Sequence, residues 1–157
     1  EKVTAKAQRS DTYLDEGKAF NLKPDLWLKT DHKSLIADTK YKIVYSDEKD
    51  PKKGISQNDL YQMLAYAVRF EVDEIILFYP NTIKQSQEEE TELTIKDALA
   101  DGKEISIRAF QLPIINRELL ESDLEAKTDL SELFESTKQY LKNKIEKILV
   151  PTMYISH

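Results

Sequence analysis

The chain has no cysteine, three glycines and five prolines in 157 residues. Without thiols, disulfide staples and thiolate metal centres are excluded. No apolar run approaches the roughly 20 residues that a membrane-spanning helix needs, and no export-signal pattern opens the sequence. Positive surplus is also missing. The 23 Lys and Arg stand against 29 Asp and Glu, a net charge of −6, which argues against a domain that binds nucleic acid unaided. The length suits one domain, 1–157, with a real core. The first residue is not Met and the opening is strand-like, so the expectation is the C-terminal part of a longer protein.

What is present is polar but globular, 40% hydrophobic and 33% charged. The charges are unevenly spread. Lys23, Lys29, Lys33, Lys40, Lys42, Lys49, Lys52 and Lys53 gather around one expected hairpin and the loop after it. Acidic residues concentrate in Glu88-Glu89-Glu90-Thr91-Glu92 and from Glu118 to Glu135. A basic side facing phosphates and an acidic side facing water or protein is one reading of this division; solvated charge on both sides is the other.

Periodicity predicts a first strand over Lys2–Arg9, a polar loop over Ser10–Lys18, and a hairpin of strands Ala19–Lys29 and Leu35–Tyr45. Alternation puts Leu26, Leu28, Leu35, Ala37, Tyr41 and Ile43 on a buried face, and Asp25, Asp38, Lys40 and Lys42 on a face lining a cleft. After the breaker-rich Ser46–Gly54, a helix is expected from Ser56, a good N-cap, to about Glu71. Its apolar stripe is Leu60, Met63, Leu64, Ala67 and Val68. The continuous apolar run within Asp73–Pro80 predicts a strand buried on both faces, with a parallel neighbour. Asn81–Thr91 reads as loop, Leu93–Leu99 as strand or irregular chain, and Glu104–Leu112 as a last strand. Leu119–Leu124 stays open between alternatives. Leu133, Phe134, Tyr140, Leu141, Ile145 and Ile148 recur at helical spacing in a final helix over Leu130–Leu149. The order defines an α/β fold, a mixed β-sheet flanked by helices.

A turn centred on Asp31-His32 sets Asp25 opposite Asp38. Two carboxylates facing each other across a ladder repel unless something positive lies between them. A divalent cation is the economical answer, and Lys40, one pleat on, adds an ammonium that can stabilise developing charge or position a water. Gln62 and Tyr66, one helical turn apart, share a face that Asp59 and Arg69 extend. They can bond the lysine, a metal-bound water or a phosphate. A lone Asp-x-Lys is too common to be specific, and the same residues also fit a charged surface hairpin and a polar helix face. In this order and register, however, Pro24-Asp25 and Asp38-Thr39-Lys40 resemble the PD-(D/E)XK nuclease signature.

The segments Phe20–Leu28, Ile36–Lys42 and Asp59–Ala67 together resemble the nuclease domain of the McrC family, the cleaving subunit of McrBC-type modification-dependent restriction systems. The similarity runs from about Val3 to Tyr79. It implies a restriction-endonuclease-like core and an Mg²⁺-dependent endonuclease, with Mn²⁺ as a substitute, acting on double-stranded DNA. A McrB-like AAA+ GTPase would be the partner, with self-association for double-strand cleavage and a bacterial or archaeal cytoplasm as the location. By carry-over Asp25 and Asp38 are metal ligands with the Thr39 backbone carbonyl, Lys40 is the catalytic lysine, and Gln62 orients the site. Tyr66 and Gln8 are accessory candidates. An upstream acidic ligand common in relatives has no secure match, Asp15 and Glu16 being nearest. A non-catalytic assembly module, keeping the fold and docking onto an AAA+ ring, is the competing expectation. An unrelated hydrolase using the same ligands is a third.

Overall fold

The computed structural model describes residues 4–31, 33–41, 52, 55–81, 90–97, 102–113 and 130–154. Its first strands are β1 (Thr4–Ala7), β2 (Thr12–Tyr13), β3 (Asn21–Leu22), β4 (Leu26–Lys29) and β5 (Ser34–Thr39). Helix α1 (Gln57–Phe70) leads to β6 (Glu74–Asn81), β7 (Glu90–Asp97), β8 (Lys103–Pro113) and helix α2 (Leu130–Tyr154). Six strands form one mixed sheet in the order β1-β4-β5-β6-β8-β7, while β2 and β3 pair separately. The α/β expectation holds.

The central strands explain themselves. β5 and β6 are parallel and joined through α1, which covers one face of the strands while α2 covers the other. Ile36, Ile75 and Leu77 pack with Met63, Tyr66 and Ala67 of α1. Leu35, Ala37, Ile76 and Phe78 pack with Ile148 and Leu149 of α2 on the opposite face. Each of these strand residues has neighbours above and below, hence the unbroken apolar run. β8 pairs parallel to β6 and antiparallel to β7. It is therefore interior, and the described part of the segment left open at Leu93–Leu99, up to Asp97, falls in the edge strand β7.

Helix α1 begins and ends where its sequence says. The Ser56 side chain accepts the Asp59 N–H at 3.2 Å, and Glu71 adopts a left-handed backbone (φ 54°) that lets its N–H bond the Ala67 carbonyl. The buried stripe is narrower than expected. Val68 is 57% exposed, whereas Tyr66, assigned to the polar face, is 3% exposed. An i, i+3, i+4 stripe built on Met63, Tyr66 and Ala67 leaves Val68 one step round the helix.

Other expectations are corrected. The strand expected over Ala19–Lys29 is interrupted, because Pro24 has no N–H for the ladder. Asn21 and Leu22 pair instead with Tyr13 and Thr12. Tyr41, expected to be buried, is fully exposed, since β5 ends two residues earlier. Helix α2 runs to Tyr154, but Phe134 and Tyr140 are 73% and 40% exposed. Its attachment to the sheet lies toward its C-terminal half, through Ile148, Leu149 and Lys144. Lys42, Ile43, Lys49, Lys53, Glu88, Glu89 and Leu119–Leu124 lie outside the described residues. Among the described residues, no helix is long and apolar enough to cross a membrane.

Candidate active site

The hairpin register is the one that the turn predicts. Leu26 pairs with Ala37, Trp27 with Ile36 and Leu28 with Leu35, so Asp25 continues opposite Asp38. The Asp25 N–H lies 3.4 Å from Asp38 Oδ1. Asp25 Oδ2 accepts the Thr39 N–H at 2.8 Å and the Thr39 hydroxyl. Each carboxylate is thus held by the strand that carries the other.

Lys40 lies just past the end of β5, and its backbone N–H donates to the Phe78 carbonyl at 2.8 Å, extending the parallel pairing to β6. Its ammonium pairs with Asp38 Oδ2 and donates to Gln62 Oε1 at 2.6 Å. The Gln62 amide nitrogen in turn donates to the Tyr66 hydroxyl at 3.0 Å. Asp38, Lys40, Gln62 and Tyr66 form one chain of polar contacts between the carboxyl end of a parallel strand and the overlying helix, where α/β sheets place ligands. Trp27 and Ile36, on the same sheet face as Asp25 and Asp38, pack into the core beneath α1. The face expected to line a cleft is therefore apolar in its middle, at Trp27 and Ile36.

Burial dominates the electrostatics. Asp38 is 4% exposed. Burial pushes its carboxyl above the usual range, and the adjacent Lys40 opposes that shift while the charge of Asp25 adds to it. Burial raises the Tyr66 phenol, helped by the charge of Asp38. Both shifts reflect negative charge gathered in a poorly solvated place, where a cation is welcome.

The remaining candidates separate. Gln8 has a left-handed backbone (φ 46°) and contributes through its main chain, its N–H donating to the Asp25 carbonyl at 2.9 Å. Asp15 is occupied locally. Its carboxylate accepts the Phe20 and Ala19 N–H groups at 2.8 and 3.0 Å, and these bonds hold it below its ordinary value. Glu16 is exposed. Arg69 donates to the Tyr13 carbonyl at 2.6 Å, outside the polar chain. Two features escaped the sequence reading. Tyr79 donates to the buried Asp59 at 3.1 Å. The Arg9 guanidinium lies 4.8 Å from the Trp27 ring and 5.3 Å from that of Phe70. Trp27, two residues after Asp25 on the same face, was the available signal for the second.

Among the described residues no group of three or more His, Cys, Asp or Glu side chains gathers as a metal cage. Asp25, Asp38 and the Thr39 carbonyl would nonetheless offer oxygen donors only, the type that suits a hard divalent cation that keeps most of its own waters. By donor chemistry the residues fit Mg²⁺ or Mn²⁺.

Fold and site together define a mixed α/β domain with facing carboxylates and a lysine at the end of a central parallel strand. Residues 1–80, half of the chain, match the family of the McrBC 5-methylcytosine restriction system component. The chain belongs to that family, as its motifs led us to expect. No curated protein matches it. Among solved structures it is similar to a chain of a half-complex from a tetradecameric assembly of Thermococcus gammatolerans McrB AAA+ hexamers with bound McrC. The identity is 17%, the coverage 71% of this chain and 23% of that one, and the TM-score 0.48. The present chain thus spans under a quarter of that protein chain's length.

Proposed function

We propose that this chain is the PD-(D/E)XK-type nuclease part of a McrC-type subunit and hydrolyses phosphodiester bonds of double-stranded DNA. The observation that carries the reading is the Lys40 ammonium, shared between Asp38 and Gln62 while Asp25 stands across the hairpin. Asp25, Asp38 and the Thr39 carbonyl would hold Mg²⁺, which supplies Lewis acidity toward a phosphoryl oxygen. The lysine offers a positive charge where negative charge develops, and a proton donor or water-orienting group beside it. Gln62 fixes the direction of the ammonium, and Tyr66 fixes Gln62. A net charge of −6 gives little affinity for a polyanion, so a partner that grips DNA is part of the reading. A McrB-like AAA+ GTPase fits that role, and pairing of two copies would allow both strands to be cut.

Plasmid cleavage by the full-length protein with its GTPase partner and Mg²⁺ is the test. Lys40→Ala should lower the rate at least about 100-fold at a temperature where the variant remains folded; wild-type cleavage by this variant overturns the assignment. The assembly-module alternative has no use for facing carboxylates. Saturable Mn²⁺ binding by calorimetry, lost in Asp25→Ala, would count against it.

A further inference from the structure

The Asp59–Tyr79 pair lies one layer behind the residues just described, and the family resemblance assigned it no role. Asp59 is in the first turn of α1 and Tyr79 near the end of β6, and they are 6% and 2% exposed. Apart from this pair and the Gln62–Lys40 bond, the α1–sheet contact in this region is apolar, through Met63, Tyr66 and Ala67. Apolar packing is non-directional; it holds a helix against a sheet but constrains sliding along the axis weakly. A buried hydroxyl–carboxylate bond is directional and costly to leave unmade. Loss of the bond leaves a polar group in a dry site.

The two residues stand where such a constraint matters. Tyr79 follows Phe78, whose carbonyl receives the Lys40 N–H. Asp59 precedes Gln62 by one helical turn, and Gln62 receives the Lys40 ammonium. Both ends of Lys40, main chain and side chain, are therefore referred to the two elements that this bond joins. A helix advances about 1.5 Å per residue, so a slip of one residue would carry Gln62 out of hydrogen-bond range of the ammonium. Burial raises the Tyr79 phenol far above its ordinary value, with Asp59 adding to the rise, so Tyr79 stays a donor at any working pH. Asp59 also suits its place, a carboxylate in the first turn at the positive end of the helix.

We infer that the Asp59–Tyr79 hydrogen bond is a positioning device that sets the axial register of α1 and so holds Gln62 on Lys40. Neither residue is a catalytic group; both act through Gln62. For cleavage this rests on the proposed function, because only a catalytic Lys40 makes its orientation matter to a rate.

The experiment is a cycle of Tyr79→Phe, Asp59→Ala, Gln62→Ala and the double variants in the full-length protein, with two readouts. The first is the Lys40 Nζ resonance in lysine-labelled protein, identified by its absence in Lys40→Arg. Gln62→Ala should move it, Tyr79→Phe should move it too, and the double variant should move it no further. The second is DNA cleavage with the GTPase partner. Tyr79→Phe or Asp59→Ala should lower kcat between about 10- and 100-fold with KM unchanged, and neither should lower it further once Gln62 is Ala. A Lys40 resonance unmoved by Tyr79→Phe and Asp59→Ala overturns the inference, as do losses of kcat that simply add to that of Gln62→Ala. Should Tyr79→Phe fail to fold, Asp59→Ala, which removes the acceptor instead of the donor, carries the same comparison. Intact wild-type cleavage with Lys40→Ala sinks the nuclease reading alone, since the resonance still decides the positioning role.

Discussion

The two faces of the central sheet are held by different chemistry. On the α1 face, directional bonds cross between helix and sheet: Asp59 to Tyr79, Gln62 to Lys40, and Arg69 to the Tyr13 carbonyl of the small hairpin. On the α2 face, Ile148 and Leu149 rest on Leu28, Leu35, Ala37, Ile76, Phe78 and Phe110. Lys144 of α2 also donates to the Gln111 carbonyl of β8 at 2.7 Å. Charges on that sheet face sit toward the far end of β6, where Glu74 takes Lys33 and Arg108, and Arg108 reaches Glu90. Apolar contact stabilises without specifying angle or register, whereas hydrogen bonds specify both. The face that carries the site is the one with position written into it.

Matched truncations on the two faces should separate these roles most strongly. Met63 and Ile76 are both fully buried, one on the inner side of α1 and one on the strand face beneath α2. Met63→Ala and Ile76→Ala should each cost about 2–5 kcal/mol of stability in chemical denaturation. At a temperature where both variants remain folded, Met63→Ala should also slow cleavage, and Ile76→Ala should leave it near wild type. Equal slowing would erase the distinction between the faces. Glu74→Ala comes next. It takes the carboxylate away from Lys33, 19% exposed on its side chain, and leaves Arg108 only its other contacts, Glu90 among them; it should cost about 1–3 kcal/mol, with cleavage preserved because the site lies at the other end of the sheet.

Ser56→Ala removes the α1 N-cap and should cost about 1 kcal/mol. Unlike Glu74→Ala, it should slow cleavage too, since the first turn it secures contains Asp59. The smallest effect concerns pH on the α2 face. Burial lowers the Lys144 ammonium from its ordinary 10.5 to about 8. Between those values the unfolded chain binds more protons than the folded one, so this residue makes stability rise with pH across that window. Lys144→Met should flatten that rise in thermal midpoints measured from pH 7.5 to 10.5, and an unchanged slope would show that Lys144 titrates normally.

Much of the site was legible because its signals are local or depend on alternation. The polar turn near Asp31 set the hairpin register, and with it the opposition of Asp25 and Asp38. Asp38 and Lys40 follow from period two, Gln62 and Tyr66 from helical spacing. What failed did so for physical reasons. Pro24 breaks a ladder that hydropathy alone would continue. Tyr41 is apolar in the right phase, but the strand ends before it. Phe134 and Tyr140 have the right spacing, yet the sheet offers them no surface among the described residues. Tyr66 looked like an outward polar partner, and its ring is core while its hydroxyl serves the site.

By itself the sequence determined the two helices and the central strands, the N-cap of α1, the hairpin register and which residue types could meet at the end of β5, all set by contacts within a few residues or by the pleat. Only the tertiary structure decided that β8 inserts between β6 and β7, that Arg9 lies between Trp27 and Phe70, and that Tyr79 finds Asp59. The Arg9 and Tyr79 contacts join residues 18 to 61 positions apart, and no local propensity encodes a partner at that range. The packing of layers against one another does.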